Sequence, residues 1–263
     1  MARSPRPGAK KPELKEQVRK FRCTNCGACC HGNNKGVRRV NKDDNGVFYT
    51  LEEKARVLAL WPWEAQRMRA QASDRGLRID LRPLVYIVDK KEDRAVVLMW
   101  FPDHLDCIFL KDNRCSIWAD RPFTCKAFPL YGHRTGIGIS SVCPDTVRPP
   151  MVDDEEENGR AITEVYSDEV VYLFKDMAIF KMVFGFLKDL EDNDIIKWDK
   201  DASLEDATAK IDDKNTRMDL FELIVETGIL GKSQLAEVVD KLESIDEVKG
   251  RVALRIKKDM MGI

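Results

Sequence analysis

The chain has 263 residues, 43% of them hydrophobic and 34% charged, with a formal net charge of −1. That is enough for one large domain or two ordinary ones with a real hydrophobic core, so disulfides are not needed to rescue a small fold. No run of about eighteen apolar residues appears, so no membrane span is expected, and the opening MARSPRPGAKKPELKEQVRK lacks the apolar run of a secretory signal. A cytoplasmic, reducing location follows, where thiols stay free for metals. The near-zero charge hides an asymmetry. Residues 1–150 hold 28 Lys+Arg against 17 Asp+Glu, and residues 151–263 hold 16 against 28. Opposite fields help two halves dock, and the basic half keeps nucleic-acid association as a lesser alternative.

In chain order, residues 1–12 are rich in Pro, Lys and Arg and read as a disordered basic tail. Leu14 to Lys20 reads as a helical turn leading into the first cysteines, and Asn33 to Gly46 as a polar loop. Thr50 with Glu53 forms a capping-box pattern, which predicts a helix through LEEKARVLAL. Pro62 opens a second helix through Gln71. Leu84 to Val88 and Ala95 to Phe101 are β-type runs around the turn DKKEDR and predict a hairpin. Cys107 to Leu110 and Cys115 to Trp118 flank Lys-Asp-Asn-Arg and predict a second one. Pro122, Pro129 and Pro144 make the following stretch irregular. Pro149 to Gly159 reads as a domain boundary. Beyond it, Ile162 to Leu190 reads as one long helix, Met218 to Thr227 and Ser233 to Ile245 as two more, and Val248 to Ile256 as a terminal strand or helix.

The eight cysteines all lie in the first 143 residues. Cys23, Cys26, Cys29 and Cys30 form the run FRCTNCGACC, and Cys107, Cys115, Cys125 and Cys143 follow. CxxC delivers two thiolates from one turn and leaves backbone amides free to donate to sulfur. Disulfides are the weaker reading: the secretory signal is absent, and Cys29 and Cys30 bond to each other only under strain. Cys23, Cys26 and Cys29 share the CxxCxxC spacing that opens bacterial ferredoxin runs, and Cys143-Pro144 offers the proline-followed fourth thiolate of that pattern. Neighbouring side chains such as Cys29 and Cys30 usually point different ways, so the pair suits two metals, or one ligand beside a packed thiol. Spacing alone leaves open one centre or two. Thiolates select zinc, iron–sulfur or copper(I) over magnesium.

A tetrathiolate centre needs nearby cations or hydrogen bonds. Arg22, Lys35, Arg38, Arg39, Arg114, Arg121 and Lys126 are near in sequence. His31 follows the double cysteine, but it reads better as a polar loop residue than as a ligand. His104 and His133 are weaker candidates still. There is no P-loop, no GxGxxG leading a helix, no GxSxG elbow and no HExxH.

At these residues the chain resembles the CxxCxxCC family of zinc- or iron-chelating cysteine-cluster domains. The likeness runs through FRCTNCGACC, Cys107-Ile-Phe-Leu, Cys115-Ser-Ile-Trp, Arg121-Pro122-Phe123-Thr124-Cys125, Phe128-Pro129 and Cys143. It covers about residues 20–145. The resemblance implies that all eight cysteines form the functional core and that the partner is iron, zinc or an iron–sulfur cluster of the 4Fe–4S kind. It gives Arg121, Pro122 and Phe128-Pro129 places beside the site; Arg22, Lys126 and His31 are candidate neighbours from their closeness in sequence to the cysteines. The cluster is also similar to that of flagellin lysine methylases. That likeness implies a second reading, S-adenosylmethionine-dependent methyl transfer to protein lysine.

The expected fold is α+β, with small hairpins and irregular loops forming a cysteine-rich metal site, packed with helices and followed by a mainly helical C-terminal region. The expected units are 13–148 as the metal-binding domain and 161–263 as a helical subdomain. The expected function is metal or iron–sulfur binding in a structural or electron-transfer role, with a protein partner or homodimer contributing burial for the C-terminal helices.

Overall fold

The computed structural model describes residues 19–31, 38–52, 57–133, 136–149 and 154–244. The readings of a disordered tail over 1–12, of most of the helical turn over 14–20, and of a final element over 248–256 lie outside the described residues.

The fold is α+β, with short strands and helices first and a mainly helical stretch after residue 154. Strands β1 (Arg38–Lys42) and β2 (Phe48–Glu52) form a hairpin. At its turn the Asp43 carboxylate accepts from the Asn45 and Val47 amides at 2.9 Å each. Helix α1 (Pro62–Asp74) follows, then β3 (Leu81–Asp89) and β4 (Arg94–Pro102). A short hairpin, β5 (Leu110–Lys111) and β6 (Arg114–Cys115), leads to α2 (Phe123–Ala127). Strands β7 (Leu130–His133) and β8 (Gly136–Ile139) pair next. Helices α3 (Glu155–Val165), α4 (Glu169–Asp192) and α5 (Leu204–Asp212) precede β9 (Arg217–Asp219), α6 (Leu220–Glu226) and α7 (Lys232–Ser244).

The main sheet has the order β1-β2-β3-β4-β9, antiparallel except for the parallel β4–β9 pair. Strands β3 and β4 are apolar on both faces because both faces are covered. Val85, Ile87, Val96, Leu98 and Phe101 face one cluster with α4, α6 and α7, while Tyr86, Val88, Ala95, Val97 and Trp100 face another with α1 and α5. The charged halves also meet: Arg67 pairs with Glu243 at 2.6 Å and Arg94 with Glu226 at 2.9 Å.

The capping-box reading at Thr50 is corrected by the structure, since residues 48–52 are strand β2; residues 53–56 lie outside the described part. Phe48 and Tyr49 pair with Tyr86 and Val85, and Phe48 is completely buried. That tertiary burial outweighs a local helix signal, which is a weak prior. The long helix expected over 162–190 is broken between α3 and α4 at Tyr166–Asp168, and α5 was not anticipated.

The break has a purpose in packing. Tyr166 is fully buried in a third cluster with Phe21, Leu130, Cys143, Ile162 and Leu173. Its hydroxyl donates to the Val147 carbonyl at 2.6 Å and accepts from the Val147 amide at 3.0 Å. Phe21 donates its amide to the Val165 carbonyl at 2.8 Å. One helix end therefore holds the chain just before Cys23 and just after Cys143.

A desolvated carboxylate meets the start of α1. Trp61 Nε1 donates to Asp176 Oδ1 of α4 at 2.7 Å. Desolvation pushes the Asp176 carboxyl up to about 6, against the opposing pull of that hydrogen bond. An acid raised in the folded state binds protons more tightly than the unfolded chain does. Its destabilising contribution is absent below the unfolded value near 3.8 and complete above about 6. Asp176→Asn keeps an acceptor for Trp61 without the charge. It should be more stable than the parent at pH 7 by on the order of 1–3 kcal/mol, with the gain vanishing toward pH 4. Urea unfolding at both pH values measures this.

Candidate metal centre

The first cysteine loop has almost no regular structure, ending in a single 3-10 turn over Ala28–Cys30. Its path is set by left-handed backbone at Asn25 (φ 56°) and Gly27 (φ 75°), residue types that tolerate this region. A Cβ on Gly27 would stand 2.7 Å from the Asn113 carbonyl oxygen and 2.7 Å from Leu110, so the loop is pressed against the β5–β6 hairpin. That hairpin turns through Asp112 and Asn113, both with positive φ.

Each remaining cysteine segment is tied to this loop or to α1. The Cys107 amide donates to the Cys30 carbonyl at 2.9 Å. The Cys115 amide donates to Asn25 Oδ1 at 2.9 Å. Thr24 Oγ1 donates to Asp145 Oδ2 at 2.6 Å, beside Cys143. Helix α2 carries Cys125; its Phe123 amide donates to Glu64 at 2.7 Å, and Thr124 Oγ1 donates to the Ala59 carbonyl at 2.8 Å.

The outcome is convergence. All eight cysteines line one cavity of about 600 Å³, counting the part open to solvent. Leu58, Met68, Ile117, Trp118, Pro122 and Phe128 supply apolar wall, and Arg121 is the one charged side chain among its described lining residues. Cys26 is exposed, while Cys30 and Cys143 are buried. The Cys29 and Cys30 sulfurs are 3.9 Å apart. Neighbouring side chains were expected to diverge, and the tight 3-10 turn holds them together instead. Among the described residues, no group of three or more His, Cys, Asp or Glu is gathered closely enough to hold a metal ion.

Burial pushes the thiols of Cys23, Cys115, Cys125 and Cys143 up, which favours the neutral form. Cys30 is raised chiefly by donating its S–H to Cys107, and the same bond lowers Cys107. Several sulfurs are nevertheless prepared for charge. Backbone amides of Asn25, Phe109, Ile117 and Asp145 donate to the sulfurs of Cys23, Cys107, Cys115 and Cys143 respectively. In these four the donor sits two residues after the cysteine, and the Leu110 amide adds a second bond to Cys107. The Arg121 guanidinium favours the thiolates of Cys23, Cys115 and Cys125. It is fixed by stacking 3.5 Å from the Trp118 ring centroid and by donating Nε–H to the Trp118 carbonyl at 2.9 Å.

Of the other sequence candidates, Phe128 lines the cavity with Arg121. Lys126 points to α4, its Nζ 5.3 Å from the Tyr172 ring centroid. His31 Nδ1 lies 3.5 Å from Asp106 Oδ1 on a half-exposed pair. Arg22 and Arg114 are exposed. His104 Nε2 accepts the Asp80 amide at 2.9 Å. Lys35 lies outside the described residues. Sequence reasoning missed Thr24, Asn25 and Gly27, although Asn and Gly between closely spaced cysteines are a readable sign of positive φ. It also missed Leu58 and Met68, which nothing local distinguishes from ordinary core.

Residues 22–144 match the model of the CxxCxxCC family, described as a putative zinc- or iron-chelating domain. No curated protein and no solved structure matches the chain, so the likeness to flagellin lysine methylases gains no support. Helices α3 to α7 lie outside the matched range.

Gly27→Ala tests the loop geometry. The substitution forces strained backbone and a clash with Asn113, and should cost about 1–3 kcal/mol. Denaturant unfolding of the metal-free, reduced protein gives that number; an unchanged midpoint would show that the loop does not press on the hairpin.

Proposed function

We propose that residues 13–148 bind a thiolate-ligated metal centre, zinc, iron or an iron–sulfur cluster of the 4Fe–4S kind, in a structural or electron-transfer role. Helices α3 to α7 form the helical support. The observation that carries this reading is the convergence of eight cysteines, from four separate segments, on one cavity.

The donor chemistry fits such a group. Thiolates prefer zinc, iron–sulfur or copper(I) to hard cations. When bound, the centre supplies either a cross-link between the cysteine segments or a one-electron carrier. The chain's own part is to orient and to compensate. The backbone amides that donate to sulfur stabilise negative charge there, Arg121 adds a fixed positive charge, and Phe128, Met68 and Ile117 keep water from one side. A cation also offsets what burial costs the thiolates, so binding draws the sulfurs inward and couples to folding.

Anaerobic purification followed by zinc, iron and sulfide analysis and a visible spectrum tests the proposal. The expected result is a stoichiometric thiophilic metal whose removal lowers the melting temperature. Cys107→Ser should weaken metal affinity by more than the ~100-fold that losing a supporting partner costs, and Arg121→Gln by roughly 10- to 100-fold. Protein that holds neither zinc nor iron, before or after anaerobic reconstitution, would overturn the reading.

A further inference from the structure

Glu64 is 1% exposed, the most thoroughly enclosed carboxylate near the thiol cavity. A buried carboxylate is tolerated when hydrogen bonds satisfy it. Its Oε2 accepts the Trp61 amide at 3.1 Å, at the start of α1, and its Oε1 accepts the Phe123 amide at 2.7 Å, at the start of α2. One carboxylate therefore joins the beginnings of two helices that approach the cavity separately. Helix α1 sends Met68 to the cavity wall, and α2 carries Cys125, with Arg121 and Pro122 just before it and Phe128 just after.

A second bond reinforces the same junction, from Thr124 Oγ1 to the Ala59 carbonyl at 2.8 Å. Cys125 needs this help more than the others. Cys107 and Cys115 are held through their own amides by Cys30 and Asn25, and Cys143 has Thr24 bonded to Asp145 beside it. Cys125 reaches the site on a five-residue helix, too short to be stable by itself. The bonds described at that helix's beginning run to Glu64 and Ala59, which belong to a different segment from the first cysteine loop.

We infer that Glu64 is a positioning residue for the metal centre: its carboxylate pins α2 to α1 and so sets where the Cys125 sulfur and the Arg121 guanidinium stand relative to the other thiols. The centre itself rests on the function proposed above; the placement of Cys125 does not.

Glu64→Gln is the informative substitution. It keeps size and one acceptor oxygen, but its amide nitrogen is a donor and must face one of the two backbone N–H groups. The first measurement needs no metal. In reduced, metal-free protein, alkylation of each cysteine by N-ethylmaleimide is followed by peptide mass mapping. Glu64→Gln should speed modification of Cys125 by about tenfold, leave Cys23 and Cys143 near their parental rates, and preserve the near-ultraviolet circular dichroism. Parental reactivity at Cys125 in the folded variant would overturn the inference. So would an equal rise at all the cysteines, because that is general loosening.

The second measurement uses Co(II) as the probe. The intensity of thiolate-to-cobalt charge transfer counts sulfur ligands. Glu64→Gln and Cys125→Ser should each lose one thiolate's share, and the double variant should lose no more than either. Additive losses would show that Glu64 acts elsewhere. Parental protein without such a band would sink the single-ion form of the proposed function, while the alkylation rates would still judge Glu64. If Glu64→Gln does not fold, Thr124→Val breaks the second tie and is read by the same two measurements.

Discussion

Three hydrogen bonds made by the first cysteine loop join it to the segments that carry Cys107, Cys115 and Cys143. The Cys107 amide to the Cys30 carbonyl, the Cys115 amide to Asn25, and Thr24 to Asp145 join parts of the chain that are far apart in sequence. Closing such loops costs entropy that grows slowly with length but is paid at every closure. The loop has no hydrophobic core of its own to repay it. Only close fit against structured neighbours does, which is why Gly27 must meet the β5–β6 hairpin with no side chain between. Loss of that contact separates the first four cysteines from the rest.

The neighbours are structured because the sheet is buried on both faces. Apolar burial, at roughly 25 cal/mol per Å², makes β3 and β4 the firmest part of the molecule and fixes α1 through Met68 and Ala72 on one side and Trp61 and Trp63 on the other. From α1 the order passes to α2 by way of Glu64. On the opposite side the third cluster carries it to Cys23 and Cys143, both packed with Tyr166, Val165 and Leu173. The helices beyond residue 154 are therefore part of what holds the thiols, although they contribute no cysteine. Their acidic character is used in the same way, in Glu243 with Arg67 and Glu226 with Arg94.

Much of this could be read from the residues. The β3–β4 hairpin, α1 from Pro62, α6 and α7 follow from periodicity and from Pro and turn chemistry, because in those segments local preference and final burial agree. Thiol chemistry led to the expectation of a metal centre without fixing one site or two; the eight cysteines, Arg121 and Phe128 line one cavity, and their role as a centre is the reading proposed above. Thr50 misled because a capping box is a property of four residues, whereas the fate of Phe48 and Tyr49 depends on partners far along the chain. Glu64 and Met68 were invisible for a similar reason. A helix shows which face is apolar, but the sequence does not show which other segment that face will meet.

The charge balance of the cavity follows from where its walls come from. Apolar wall from α1 and from Ile117 and Phe128 makes thiolates costly, and burial keeps most of the sulfurs protonated. A site walled that way and supplied with one guanidinium has more latent negative charge than fixed positive charge. Backbone amides cover part of the difference, from Asn25, Phe109, Ile117 and Asp145 two residues after a cysteine and from Leu110 three after Cys107. On the proposed reading the bound cation covers the remainder. Metal affinity then depends less on any single thiol than on how far the apolar wall and the amides are held in place. That dependence puts Glu64, Asn25 and Gly27, none of them a metal ligand, among the residues that set the properties of the centre.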